Sequence, residues 1–408
     1  MSQDYDVAIV GGGLVGASLA LALASDVSMR VALVEAYPMN SAEGEPAYQP
    51  SYDARSTALA WGTRLIYEDL QLWDQLQQHV TPIRRIHVSD KGQFGATRLH
   101  SKDYRQEALG YVVENQWIGQ CLLAKIADCS NIDLICPDTV NDIYATSTGA
   151  KLTLEKFGEM HASVVVLADG GRSGLREKLA IEVSERDYEQ TAIIANLSVS
   201  RHHDWTAYER FTPSGPMALL PMGEMRQSDA RMALVWTLPK EEADKVMQMS
   251  DDRFLEKIQQ AFGYRLGKFT QTGSRSSYPL VLSLSKEQVR PALVVVGNAA
   301  HTLHPVAGQG YNLALRGVMR LASALIDAQR EGKSLAGYDV LSRFLPEQDS
   351  DKSITVNFSD LLTHLFSTGN PYVSAFLGLG LAGLDLMPVV KGRLSEQAMG
   401  LAQARAVL

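Results

Sequence analysis

Cysteine is scarce in this chain: three residues in 408, at positions 121, 129 and 136, with no CxxC pair. That argues against a disulfide framework, and it predicts reduced thiols serving as small apolar fillers. Clustered positive charge is missing as well. Lys and Arg number 38 against 46 Asp and Glu, a net charge of −8, and no basic run occurs. Nucleic acid is therefore not expected as a partner. The opening MSQDYDVAIVGGG has no basic segment ahead of its apolar run, which predicts no secretory signal and a cytoplasmic location. Repeats, low-complexity tracts and a flexible linker are also absent from the sequence.

One long apolar run is present, residues 371–390, in which Asp385 is the only charge. Its length suits a bilayer. Asp385, which costs about 2.5–3.5 kcal/mol near a bilayer centre, together with three glycines and two prolines, predicts a buried or membrane-facing helical segment instead of a spanning one.

A length of 408 residues exceeds what one core usually organises, so two domains are expected. Buried-strand runs (YDVAIV, RVALVE, ASVVVLADG, PALVVVG) alternate with helical patterns, including one over 56–78. Residues 187–284 are strand-rich with one helical insert near 251–261, and beyond Gly308 the pattern is nearly all helical. The expected layout is a discontinuous nucleotide-binding α/β domain over 1–80, 111–182 and 290–350. An inserted, mainly antiparallel substrate domain would take 81–110 and 183–289, and a helical region 351–408.

Gly11-x-Gly13-x-x-Gly16 follows the first strand and opens the first helix. The first glycine permits the tight turn, the second lets the backbone approach a pyrophosphate, and the third lets helix and strand pack closely. The helix amino end then faces the diphosphate. Glu35, 19 residues beyond Gly16, ends the second strand, where a carboxylate accepts hydrogen bonds from a ribose diol. Gly378-x-Gly380-x-x-Gly383 repeats the spelling without a preceding strand or a following acid, so it reads as close helix packing.

Two further segments bear on the dinucleotide: VVVLADGGRSGLR, carrying Asp169, Ser173 and Arg176, and VVVGNAAHTLHPVAGQGYNLALRG, carrying Asn298, His301, Pro305, Gly308, Gln309, Gly310 and Asn312. With the glycine turn, they resemble the three fingerprints of the flavoprotein aromatic hydroxylases, the group A FAD monooxygenases typified by p-hydroxybenzoate hydroxylase. DARSTAL, IHVSD, ERFTPSGPMALLPM and RLGKFT with RSSYPL are similar to the ubiquinone-biosynthesis branch of that family. The resemblance implies the family's Rossmann-like FAD domain with an inserted antiparallel substrate domain. It implies FAD held at its diphosphate by Gly11, Gly13 and Gly16, and at its ribose by Glu35. Arg55 would reach the cofactor near its phosphates and ribityl chain. Asn115 or Gln120 would take the place of the family's ribityl-contacting glutamine, and Asp169 the second fingerprint. Asn298 stands where the family usually has an aspartate, so the ribityl bond would be accepted without charge. Pro305, Gly308, Gln309, Gly310 and Asn312 form a glycine loop and helix start; aimed at the flavin pyrimidine, that helix end would stabilise negative charge developing on reduction.

The activity so implied is hydroxylation of a polyprenylated phenol of the 2-octaprenyl-6-methoxyphenol type. NAD(P)H would serve as transient co-substrate and O2 would pass through a flavin hydroperoxide. A lipid substrate implies peripheral contact with the inner face of the cytoplasmic membrane, and other ubiquinone-biosynthesis proteins as partners. His301 and His304 form an HxxH with no third ligand in view, so no metal is expected and His301 is expected to pack and hydrogen-bond. No residue stands out as a catalytic base. Two alternatives stay open: an FAD hydroxylase of a small soluble aromatic acid, with Arg210 or Arg231 as the cation for its carboxylate, and a non-catalytic FAD-binding scaffold.

Overall fold

The computed structural model describes residues 4–38, 55–92, 95–223, 230–303, 309–367, 392, 396 and 399–401, with side chains of the last long helix described through residue 356. Three sheets organise the chain. The first has five parallel strands in the order Leu293–Val295, Glu159–Leu167, Asp4–Val10, Val31–Val34, Ile132–Ile135. Alternation along the central strand sends its side chains to two different layers. Val7 and Ile9 pack against the helices Leu14–Ala24, Asn115–Ala127 and Gln309–Arg330. Ala8 and Val10 pack against the antiparallel hairpin Val140–Thr146 and Gly149–Leu154. Helix Leu14–Ala24 is buried on nearly every side because helices flank it beneath the sheet, which is why it lacks a polar face.

The second sheet runs Ser276–Ser285, Val183–Val199, Arg231–Pro239, Gly215–Met222, Thr206–Thr212, Arg85–Asp90, Ala96–His100. It is antiparallel except where Thr206–Thr212 and Arg85–Asp90 pair in parallel. Its outer face, with Ile193, Leu219, Leu234 and Trp236, is sealed by the helices Lys240–Met247 and Asp251–Phe262. Its inner face looks toward the first unit. A three-stranded sheet, Ser56–Ala60, Gly110–Glu114 and Thr81–Ile83, lies between the two: Ile83 and Val112 pack on Ala207, Met222 and Ala233.

The helical pattern expected over 56–78 is corrected at its start. Ser56–Ala60 is a strand paired with Gly110–Glu114, and the helix begins at Trp61. The pairing comes from a strand some fifty residues away, where Gly110 lets the chains close: a Cβ there would sit 2.5 Å from the Leu59 carbonyl oxygen. The helix Lys240–Met247 was not anticipated. Among the described residues no helix is long and apolar enough to cross a membrane. The apolar run 371–390 and its glycine pattern lie outside the described residues.

The helix Leu345–Ser367 packs on Gln309–Arg330 and on the strands Thr206–Thr212 and Gly215–Met222, tying the two units together. Its anchor is ionic. Asp351 accepts from Arg316 Nε at 2.7 Å and Nη2 at 2.9 Å, and from Arg320 Nη1 at 3.3 Å, with all three residues buried. Removing the carboxylate leaves two arginines buried without it. Asp351→Ala is expected to lower unfolding free energy by about 3–5 kcal/mol, read as a lower urea midpoint at unchanged m-value.

Candidate cofactor and substrate site

Parallel strands deliver their connecting turns to one edge, and three turns meet there. Gly11 follows Asp4–Val10, Asp169 follows Glu159–Leu167, and Gly297 follows the strand Leu293–Val295. Ala168 N–H donates to the Val10 carbonyl at 2.8 Å and Val296 N–H to the Leu167 carbonyl at 2.9 Å, so the strand ends stay level. Gly11 adopts φ +107°, and a Cβ on it would meet the Ala168 carbonyl oxygen at 2.7 Å. At Gly16 a Cβ would lie 2.0 Å from the Gly11 carbonyl oxygen. At both positions a side chain would strike the chain's own backbone, so glycine keeps the turn tight against the start of the helix, the arrangement in which backbone N–H groups can face a diphosphate. Gly297, at φ +62°, brings the third turn onto the first helix, where its Cβ would be 3.2 Å from Val15 Cγ1.

Glu35 reaches the same turn. Its Oε2 accepts from Gly12 N–H at 2.7 Å and its Oε1 from Tyr37 N–H at 3.0 Å. The carboxylate therefore stands beside the glycine turn, where a ribose diol would meet it. Asp169 accepts from the backbone N–H groups of Gly171 at 3.0 Å and Ser173 at 3.1 Å, and from the Ser173 hydroxyl. Its observed work is ordering its own turn. Arg176 Nη1 donates to the Ala299 carbonyl at 2.9 Å, which ties the second fingerprint to the third. Asn298 is exposed, in the short 3-10 helix Gly297–Ala299.

Arg55 sits between the two units. Its carbonyl accepts from Asn115 N–H at 2.9 Å, and its guanidinium lies 5.1 Å from the ring centroid of Tyr278, on the second sheet. Asn115 is buried at the start of its helix and accepts from the Thr57 hydroxyl at 2.6 Å, while Gln120 is half-buried five residues on. Gln309 is buried and Gly310 half-buried at the start of the long helix. The Asn312 side chain holds the strand Ser56–Ala60 and the helix after it. Oδ1 accepts from Ala60 N–H at 2.9 Å and the Thr63 hydroxyl at 2.7 Å, and Nδ2 donates to the Ala58 carbonyl at 2.9 Å. His304, Pro305 and Gly308 lie outside the described residues. His301 is buried with neither ring nitrogen hydrogen-bonded among the described residues, and burial pushes its pKa down to about 4. It is a neutral packing group, so the hydrogen-bonding role expected for it is corrected. Burial pushes the Cys121 thiol up to about 12, which makes it a filler and not a nucleophile.

The inner face of the second sheet supplies the other wall. One cross-strand row there, Ile194, Val235, Ala218, Glu209 and Val88, is half-buried throughout. The same face carries buried Ala192, Thr237, Pro216 and Phe211 along one flank of the row. This row is a partly open, apolar strip with a single ionisable side chain. Arg210 points the other way, donating Nε to the Ala261 carbonyl at 3.1 Å on the outer helix, and Arg231 is exposed at the start of its strand. Sequence reasoning passed over Glu209 and Tyr278, although both lie in the motifs ERFTPSG and RSSYPL.

A dinucleotide cradle at the edge of a parallel sheet, facing an apolar strip on an inserted antiparallel sheet, defines a flavoprotein hydroxylase architecture. The chain belongs to the family described as FAD binding domain, matched over residues 4–340, and is an FAD-dependent monooxygenase. Among its relatives is the ubiquinone hydroxylase UbiL of Rhodospirillum rubrum, 33% identical over 396 residues covering 97% of this chain and 89% of the relative. Another is the 3-demethoxyubiquinol 3-hydroxylase of Escherichia coli K12, 29% identical over 402 residues, 98% and 100% of the two chains. The fold matches the crystal structure of PqsL, a probable FAD-dependent monooxygenase from Pseudomonas aeruginosa, with a TM-score of 0.75, 20% identity, and coverage of 93% of this chain and 100% of that one. These relatives carry the names of ubiquinone or demethoxyubiquinol hydroxylases.

The Glu35 carboxylate accepts a charge-assisted bond inside the glycine turn, worth roughly 1.5–3 kcal/mol. Glu35→Gln is therefore expected to weaken FAD binding about 10- to 100-fold, measured by flavin fluorescence on titrating the apoprotein.

Proposed function

We propose that this enzyme hydroxylates the aromatic ring of a polyprenylated phenol, of the 2-octaprenyl-6-methoxyphenol type, in ubiquinone biosynthesis, with NAD(P)H as reductant and O2 as oxygen source. The observation that carries the substrate class is the character of the inner wall. Its half-buried strip is Ile194, Val235, Ala218 and Val88 around one carboxylic acid. Both arginines considered for a soluble carboxylate are directed elsewhere, Arg210 to the outer helix and Arg231 to solvent. An apolar strip favours a prenyl chain and an uncharged ring, and it repels an aromatic acid that would lose its hydration without gaining a cation. The names of the relatives support the same class.

FAD, when bound, supplies the electron storage and oxygen activation that side chains lack. The chain would hold it with the backbone of Gly11, Gly13 and Gly16 at the diphosphate and Glu35 at the ribose. Arg55, Gln120 and Asn298 would serve near the ribityl chain, and Asp169 at the second turn. Pro305 and Gly308, with Gln309, Gly310 and Asn312 at the start of the long helix, would serve at the flavin ring. The strip positions the phenol ring and keeps water from the reacting atoms. A lipid substrate brings the enzyme to the membrane face, with the run 371–390 as the docking segment.

Purified FAD-loaded protein supplied with NAD(P)H and a short-chain prenylated 6-methoxyphenol is expected to give one hydroxylated product by mass spectrometry, and none from p-hydroxybenzoate. Product from the acid alone would transfer the assignment to soluble substrates. Reductant consumed with no product from any phenol would favour the scaffold reading.

A further inference from the structure

Glu209 is the one acid in the half-buried row of the inner wall. The row is set by strand register: Ile194 faces Val235, Val235 faces Ala218, Ala218 faces Glu209, and Glu209 faces Val88. Side chains paired in this way share a face. On the strand Thr206–Thr212 the neighbouring residues go to the opposite face, Tyr208 against Phe262 and Arg210 to the Ala261 carbonyl. Glu209 is thereby committed to the inner wall, opening onto the strip between the sheet and the FAD-binding unit.

An ionised carboxylate there is costly. Burial alone raises its pKa to about 7, and among the described residues no hydrogen bond or charge relieves it. The strands beside it bring Val88 and Ala218. Asp90, further along Arg85–Asp90, interacts with Arg210. On Leu345–Ser367 the described acidic and basic residues are Glu347 and Asp351, engaged by Arg316 and Arg320, and Asp349 and Lys352, paired with each other at 2.6 Å. A structural role would come with partners. A desolvated acid poised near neutrality on an apolar wall has the character of a group that meets a ligand.

We propose that Glu209 receives the phenolic hydroxyl of the substrate, its carboxylate accepting the hydroxyl proton as the ring is oxygenated. The inference rests on the substrate being a phenol, as argued above. Ala218 beside it carries only a methyl group, and Val88, Val235 and Ile194 complete the row, so the groups that share its face are apolar like the substituents of the ring. The proton balance closes. The phenol O–H bond breaks toward Glu209, and the electron pair left on oxygen enriches the ring. The ring carbon forms its new C–O bond with an oxygen that comes from O2, at the expense of the two electrons of NAD(P)H. The same ring carbon then releases its hydrogen as a proton, and Glu209 returns the stored proton to the phenolic oxygen. The second oxygen atom of O2 leaves as water; the proton released by the ring, the hydrogen delivered by NAD(P)H and one proton from solvent together supply the two hydrogens of that water and the one on the new hydroxyl.

The test uses the FAD-loaded full-length enzyme, the short-chain prenylated 6-methoxyphenol as probe, and the variants Glu209→Gln and Glu209→Asp. Glu209→Gln is expected to keep FAD and to bind the probe within about threefold of the parent, yet to lose hydroxylation about 100-fold, with reductant diverted to peroxide. Glu209→Asp, which keeps the acid, is expected to recover part of the loss. Only the ionised carboxylate accepts the proton, so parental hydroxylation should fall as pH drops through about 7, and that limb should be absent in Glu209→Gln. Hydroxylation by Glu209→Gln within about threefold of the parent, or an identical acid limb in both proteins, overturns the assignment. If Glu209→Gln fails to retain FAD, the parent alone decides: a profile without an acid limb near 7 overturns it. A parent that oxygenates no phenol at all brings down the functional reading and this one together. A parent that does so beside an equally active Glu209→Gln brings down only this one.

Discussion

A backbone contact that tolerates no side chain underlies the whole arrangement. Gly16 lies against Gly11 so closely that a Cβ would come within 2.0 Å of the Gly11 carbonyl oxygen. That contact lets the helix Leu14–Ala24 begin directly beneath the turn, with its free N–H groups aimed outward at the strand ends. Because the helix starts so deep, it is covered on one side by the sheet and on others by Asn115–Ala127 and Gln309–Arg330. Those two helices carry the remaining parts of the site. Asn115 meets the Arg55 backbone, Asn312 holds Ser56–Ala60 in place, and Gly297 closes onto Val15. A larger residue at either glycine would therefore displace the elements that align the second and third turns, as well as the phosphate cradle.

Buried charge is handled in two opposite ways. At the junction of the two units, Arg316 and Arg320 surround Asp351, so that each ion is compensated and the helix Leu345–Ser367 is held across both. Such an ion cluster gives position more than it gives stability, since desolvation offsets much of its attraction. On the inner wall, Glu209 has no such compensation among the described residues, and its carboxyl titrates near neutrality as a result. His301 shows a third outcome, an imidazole kept neutral by burial beside a cavity of about 10 Å³ lined by Gln288, Phe344 and Gln348.

The nucleotide half was legible because its signals are local. A β-branched run, a glycine spacing and an acid at the end of the next strand are each read within a few tens of residues, and the helix expected to open at the glycine turn begins at Leu14. The stretch Ser56–Ala60 was misread as helix because its small residues carry no strong period, and its partner strand Gly110–Glu114 is far away in sequence. In the substrate half the right motif was singled out but the wrong side chain was weighed. Arg210 and Glu209 are adjacent in ERFTPSG, and one step along a strand reverses the face. Only the register with Ala218 and Val88 shows which of the two looks inward.

The sequence by itself determined the chemistry that depends on a short stretch of backbone: the glycine turn, the carboxylate of Glu35 at its side, the absence of a disulfide framework, and the family those fingerprints resemble. The tertiary structure decided what depends on residues distant in the chain. It spent the Asn312 side chain on holding Ala58, Ala60 and Thr63, turned Arg210 outward, and left His301 without a hydrogen bond and Glu209 without a charge partner among the described residues. The reason is physical: a turn is dictated by which backbone angles its own residues allow, whereas the environment of a side chain is dictated by register and burial, which no local run of residues contains.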